Sequence, residues 1–146
     1  MLQERAFRSS FGAISGLLGL PLRQVDNRWM ESLTDTLAPL GVTPARAAAL
    51  FFIDHSPGCS QATLGQALRI NRPSTASAVD QLQAIGAVER RKLAAGARNN
   101  ALYLTDAGRA LRDEVLKRAL EQEDSFFARL SPAERERLRK LLLKLL

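Results

Sequence analysis

The stretch GAVERRKLAAGARNNALYLT, residues 86–105, differs in character from the chain around it. On either side, apolar residues recur at spacings of three and four, the period of a helix buried along one face. Here Val88 and Leu93, then Leu102 and Leu104, bracket a small polar tip, AAGARNN. Two short runs rich in strand-forming residues around a Gly- and Asn-containing tip read as a β-hairpin, with strands AVERRKL and ALYLT. Gly96 lets the tip turn tightly. Four cations, Arg90, Arg91, Lys92 and Arg98, lie on this hairpin.

Just before it, NRPSTASAVDQLQAIG reads as a helix. Asn71 is a good N-cap, Pro73 sits in the first turn, Ala78, Val79 and Leu82 form the buried face, and Gly86 is a good terminator. A three-residue turn separates it from CSQATLGQALRI, which Ser60 caps and which buries Leu64, Ala67 and Leu68. Two short helices on a tight turn describe a helix-turn-helix. Further upstream, Thr43 and Pro44 start the helix PARAAALFFIDHS, stopped by Pro57 and Gly58. Residues 7–40 carry one apolar stripe, Leu22, Val25, Trp29, Leu33 and Leu37, with Pro21 either beginning this helix or bending a longer one.

Downstream, Thr105 caps a long helix reaching about residue 127. Its stripe is Ala110, Leu111, Val115, Leu116 or Ala119, and Leu120. A final helix opens on a capping box, Ser131 with Glu134, and carries Leu138, Leu141, Leu142 and Leu145 on one face. Helix, helix-turn-helix, basic hairpin, long helix is the order of a winged helix-turn-helix with the hairpin as its wing. The expected fold is mainly α with a small β-hairpin wing. Residues 1–40 are expected as an N-terminal dimerisation region, 41–105 as the DNA-binding lobe and 106–146 as C-terminal dimerisation helices.

Composition narrows the function. The chain has 146 residues, 46% hydrophobic and 25% charged, enough for one real core. Its net charge of +6 is unevenly spread. Residues 1–68 balance at five Lys/Arg against five acids, residues 69–98 carry six against two, and residues 99–146 carry ten against eight. The excess around the hairpin suits phosphate or an anionic membrane surface, with a solvated charged face as the plain alternative. A single cysteine, Cys59, excludes an internal disulfide and fits a reducing compartment. With His55 the only histidine, no metal site is expected, and no cofactor. No nucleophile has a partnered base and no carboxylates pair in a motif, so an enzyme is not expected. FGAISGLLGLPL is apolar but shorter than the roughly 20 residues a bilayer requires, and it lacks a small-residue cleavage site. The expected location is the cytoplasm, away from membranes.

A wing beside a recognition helix has a direct chemical use: the helix presents side chains to base edges in the major groove, and the hairpin drops a cation into the adjacent minor groove. Arg98 is placed for the second task, and Asn99 and Asn100 for bonding phosphate or sugar. Arg90 and Arg91 point to opposite strand faces, so at most one meets DNA while the other braces the hairpin. Arg72, Pro73, Ser74, Thr75 and Ser77 begin the recognition helix, with Gln81 one turn further on. Arg72 suits guanine or phosphate, and the short hydroxyls leave specificity to lean on DNA shape. Ser74 as a simple first-turn residue and Thr75 as half buried remain open. Ser60 and Gln61 start the first helix of the motif, where backbone N–H groups suit a phosphate, or serve only as a cap.

From about residue 40 to residue 142 the chain resembles the MarR family of bacterial transcription regulators. The resemblance rests on the ordered set GVTPARAAALFFI, PGCSQATLGQAL, RPSTASAVDQLQAIGAVER, R…ALYLTDAGRAL and LSPAERERLRKLL. It implies a homodimer paired through the first and last two helices, an inverted-repeat operator in double-stranded DNA, and repression relieved by a small anionic or phenolic effector. It also places the effector pocket between the dimerisation helices and the DNA-binding lobe. There Phe7, Phe11, Ile14, Leu18, Trp29, Phe51 and His55 are candidate walls, with Arg23, Arg28 or Arg46 to hold an acid, which suits an aromatic acid or its thioester. In the family's wings an acidic residue usually precedes two arginines, whereas this chain has Gly96, Ala97 and Arg98, implying a less braced wing arginine. A sensing role for Cys59 would need a depressed pKa, and the chain holds no resolving cysteine. Two other readings stand beside this one: a winged helix used for protein contact, and a ligand-independent DNA-binding factor.

Overall fold

The structure, a computed structural model, describes residues 10–92 and 100–146. These form α1 (Gly19–Leu37), α2 (Pro44–His55), β1 (Cys59–Ser60), α3 (Gln61–Leu68), α4 (Arg72–Ala84), β2 (Val88–Lys92), β3 (Asn100–Leu104), α5 (Asp106–Phe126) and α6 (Pro132–Leu143). Short 3-10 turns occupy Gly12–Gly16 and Ala38–Leu40.

Local chemistry sets most helix starts. The hydroxyl of Thr43 accepts from the Arg46 N–H, Ser60 from Thr63, Asn71 Oδ1 from Ser74, and Thr105 from Gly108. Ser131 and Glu134 satisfy each other's backbone N–H in a capping box that opens α6. Each such cap contributes about 1 kcal/mol by filling one of the orphan donors of a first turn. Thr105 also donates to the Gly86 carbonyl at 2.6 Å, so one hydroxyl starts α5 and fastens it to the end of α4. That junction is tight: a Cβ on Gly108 would lie 1.9 Å from the Ala87 carbonyl oxygen.

The strands form one antiparallel sheet in the order β1-β3-β2. Val88 stands opposite Leu104 and Lys92 opposite Asn100, an antiparallel pair within a residue of the expected strands, with Asn100 paired in the sheet and Thr105 left to cap α5. β1 was not expected: two residues are too few to show alternation, and they join only because Cys59 faces Leu102 and Ser60 faces Ala101.

Two apolar clusters hold the fold. In the first, Leu50 and Ile53 from α2, Leu64 from α3, Val79 and Leu82 from α4, and Val88, Leu102 and Leu104 from the sheet are buried together. In the second, Leu33 and Leu37 of α1 meet Val42, Ala47 and Val115, with Trp29, Phe51 and Ala119 packed against them. Leu111 touches both clusters. Arg112 of α5 pairs with Asp54 of α2 across the same junction.

The expected stripes are only partly filled. On α1, Leu33 and Leu37 are buried, but Leu22 and Val25 are exposed. On α5, Val115 is buried while Leu116 and Leu120 face outward, and α6 has no buried residue. Ala67 is exposed as well. Within one chain, nothing among the described residues covers those faces. No single described helix is long and apolar enough to cross a membrane.

Candidate nucleic-acid interface

The first apolar cluster fixes which side of α4 looks outward. Thr75, Ala78, Val79 and Leu82 are buried. Arg72, Pro73, Ser74, Ser77 and Gln81 are exposed on the opposite side. Thr75 therefore leaves the expected contact set: it is 1% exposed, and its hydroxyl donates to the Asn71 carbonyl at 2.9 Å. It also sits against Gly65, where a Cβ would come within 2.7 Å of its Oγ1. Its task is to hold α4 against α3. Arg72 has no hydrogen bond or ion pair among the described residues, so its guanidinium is free.

An open cleft of about 740 Å³ runs along α3, the start of α4 and the wing. Ser60, Gln61, Arg69, Arg72, Arg90 and Asn100 are among the residues lining it. It combines cations with the positive end of α3, an arrangement suited to a phosphate backbone. Arg69 was not singled out in the sequence. It ends α3 in the left-handed conformation, with φ of 53°, and its side chain is exposed in the helix-turn-helix turn. The local excess of positive charge was the only signal for it.

The two wing arginines divide as alternation requires, and Arg90 is the brace. It faces the helices, donating to Asp80 at 2.5 Å and Gln83 at 2.6 Å on α4 and to Gln61 at 3.4 Å on α3. Arg91 faces away, stacked 4.4 Å over the Tyr103 ring and paired with Glu89 at 2.5 Å. Tyr103 in turn fills the space above Gly58, whose φ is +83°: a Cβ there would come within 2.8 Å of the Tyr103 hydroxyl and would need a strained backbone and a displaced ring. Arg98, Asn99 and Gly96 lie outside the described residues.

Cys59 is half-buried in β1. Burial raises its pKa, while a hydrogen bond from the backbone opposes the rise in part, so the thiolate that oxidant sensing needs is disfavoured.

The expected effector residues are not gathered into one cavity. Trp29 and Phe51 pack on the second cluster. Arg46 donates to the Gly41 carbonyl at 2.7 Å, and His55 is exposed at the end of α2. Arg23 and Arg28 are exposed on α1, and Phe11, half-buried, precedes the first 3-10 turn. Two further open clefts, of about 490 and 500 Å³, lie on α1 and between α1 and α5, and none of these seven residues lines either. Phe7 lies outside the described residues.

A helix-turn-helix whose second helix shows a free polar face, flanked by a three-stranded sheet and its basic hairpin, defines a winged helix-turn-helix protein. The family model described as MarR family matches residues 40–98. Over 135 residues the chain is 32% identical to a putative transcriptional regulatory protein for the hcr operon of Thauera aromatica, covering 92% of this chain and 81% of that one. The transcriptional repressor CouR, solved bound to a 23-mer DNA duplex, superposes with a TM-score of 0.85 at 30% identity, over 92% of this chain and 95% of CouR. The Mycobacterium tuberculosis MarR family protein Rv2887, solved with salicylic acid, gives a TM-score of 0.73 at 26% identity, over 88% and 95% of the two chains. The chain belongs to the MarR family: it is a DNA-binding transcriptional regulator, not an enzyme.

Proposed function

We propose that this chain is a cytoplasmic homodimeric repressor that grips an inverted-repeat operator and is released by a small aromatic acid or its thioester. The observation that carries the DNA reading is the exposed row on α4 of Arg72, Ser74, Ser77 and Gln81, beside a cleft lined by Arg69, Arg72 and Arg90. Arg72 supplies a guanine or phosphate contact, Ser60 and Gln61 a backbone phosphate contact, and Arg98 with Asn99 the minor-groove contact of the wing. Arg90 keeps the wing aligned with α4.

The dimer reading is supported by six large apolar side chains, Leu22, Val25, Leu116, Leu120, Leu141 and Leu142, which are 39–58% exposed on α1, α5 and α6. The ligand reading is supported by the salicylic acid in the Rv2887 structure and by the Trp29 and Phe51 rings packed on the second cluster, with Arg23 and Arg28 exposed on α1. A ligand can release operator only by binding better to a dimer whose two α4 helices no longer match successive grooves.

Selection of bound duplexes from a random pool at moderate salt tests this directly. The expected result is an enriched inverted repeat with half-sites about one helical turn apart, and affinity falling steeply with salt as counterions are released. Binding insensitive to salt with no enriched repeat would point to the protein-contact reading. Operator affinity unchanged by every aromatic acid titrated would remove the ligand switch and leave a ligand-independent factor.

A further inference from the structure

α4 exposes six polar side chains, and the structure leaves them unequally free. Asp80 and Gln83 are held by Arg90. Arg72 can only donate, and Ser74 has one short hydroxyl. Gln81 differs. Its Nε2 donates to Ser77 Oγ, one turn back on the same exposed face, at 2.9 Å. An amide carries two N–H donors and an accepting oxygen, and this bond uses one donor. Gln81 thus keeps one N–H and its Oε1 unbonded among the described residues, on a side chain that Ser77 holds through the other N–H.

On a single base, that pairing has one bidentate complement in the major groove. Adenine presents an acceptor at N7 beside a donor at N6, whereas guanine presents two acceptors, cytosine a donor and thymine an acceptor beside a methyl group. We propose that Gln81, oriented by Ser77, reads one adenine in each operator half-site. Ser77 is a positioning residue, because its hydroxyl sets which way the amide points. The inference rests on α4 entering the major groove, the reading given above.

The test replaces each adenine of the selected operator in turn by 7-deaza-adenine, which keeps its pairing but lacks the N7 acceptor. Affinities are compared for the wild type, Gln81→Ala and Ser77→Ala at one salt concentration, with a salt series for each. The wild type should lose about tenfold at a single adenine per half-site. Gln81→Ala should bind the two duplexes equally at that position while keeping the wild-type salt slope, since no phosphate contact is removed. Ser77→Ala should discriminate at the same position but less strongly. Unchanged discrimination in Gln81→Ala, or no sensitive adenine anywhere in the half-site, overturns the proposal while DNA binding stands. A wild type that binds no duplex even at low salt overturns the DNA reading itself, and the proposal falls with it.

Discussion

The two ends of this chain and its middle bury apolar surface in opposite ways. In the lobe from α2 to β3, Ala49, Leu50, Ile53, Leu64, Val79, Leu82 and Leu102 are wholly inaccessible. In α6 no residue is buried, and Leu141 to Leu143 are 39–55% exposed. Both regions carry leucines at helical spacing. Periodicity tells that a face will be covered; it does not tell whether the cover comes from the same chain. The lobe is closed by its own sequence, whereas the terminal helices leave apolar side chains that no described residue covers.

The sharpest way to break that contrast is to truncate one leucine in each region. Leu82→Ala should cost about 2–5 kcal/mol, because its pocket is lined on all sides and relaxes only in part. Its unfolding midpoint in urea should fall by the same amount at every protein concentration. Leu142→Ala should instead produce a loss that is largest in concentrated protein and shrinks as the protein is diluted, since a partner bound only to the native state stabilises by mass action. Equal, concentration-independent losses in both variants would mean that α6 packs within its own chain. At the seam between the regions, Gly108→Ala should cost about 1–3 kcal/mol, because the new methyl meets the Ala87 carbonyl, a backbone atom that cannot swing aside.

Much of the lobe was legible because its signals are local. Thr43, Ser60, Asn71, Thr105 and Ser131 each announced a helix start through the chemistry of one side chain, and each is a cap. The hairpin was legible from the change of period. What could not be read depends on neighbours distant in sequence. Arg90 and Arg91 are identical and adjacent, and only the pairing of β2 with β3 decides that Arg90 meets Asp80 while Arg91 lies over Tyr103. Thr75 resembled its neighbours Ser74 and Ser77 as a small hydroxyl on a recognition helix, yet contact with Gly65 buries it. The expected effector residues were chosen for chemistry alone. They lie spread over α1, α2 and the segment before α1.

Arg90 links lobe stability to DNA affinity, and the two can be separated. Removing it with Arg90→Ala leaves Asp80, already 62% exposed, in water, so the ion pair counts for little after screening. The expected loss in stability is about 1 kcal/mol, from the hydrogen bonds to Gln83 and Asp80 together. Operator affinity should fall further than that, since the wing is no longer held at a fixed angle to α4. A fall in affinity no larger than the fall in stability would show that the wing finds its own position.

The smallest expected effect belongs to α6, and it follows from that helix having no core. With no buried residue, a single chain holds α6 through its capping box and through Arg135, which donates to the Phe127 and Leu130 carbonyls and pairs with Asp124 at 2.8 Å. Pairs along its surface add to this, such as Glu136 with Arg139 at 3.0 Å. The Glu134 carboxyl is held below its ordinary pKa first by the Ser131 hydroxyl and then by the Ser131 N–H. A carboxylate depressed on folding stabilises fully above its unfolded pKa and loses that contribution as pH falls through the folded value. The capping contribution should therefore be complete at neutral pH and fade on acidification through and below the carboxylate range. The first core cluster, built of apolar side chains, should not follow it. Amide chemical shifts followed against pH would separate the two: the Ser131 signal should titrate with a midpoint below the ordinary glutamate value, while Leu82 and Leu102 stay fixed. In Ser131→Ala the Glu134 carboxyl should move back toward its ordinary midpoint. A Glu134 midpoint unaltered by that substitution would mean that the box does not hold α6, leaving Arg135 and its bonds to Phe127, Leu130 and Asp124 as the anchor within the chain.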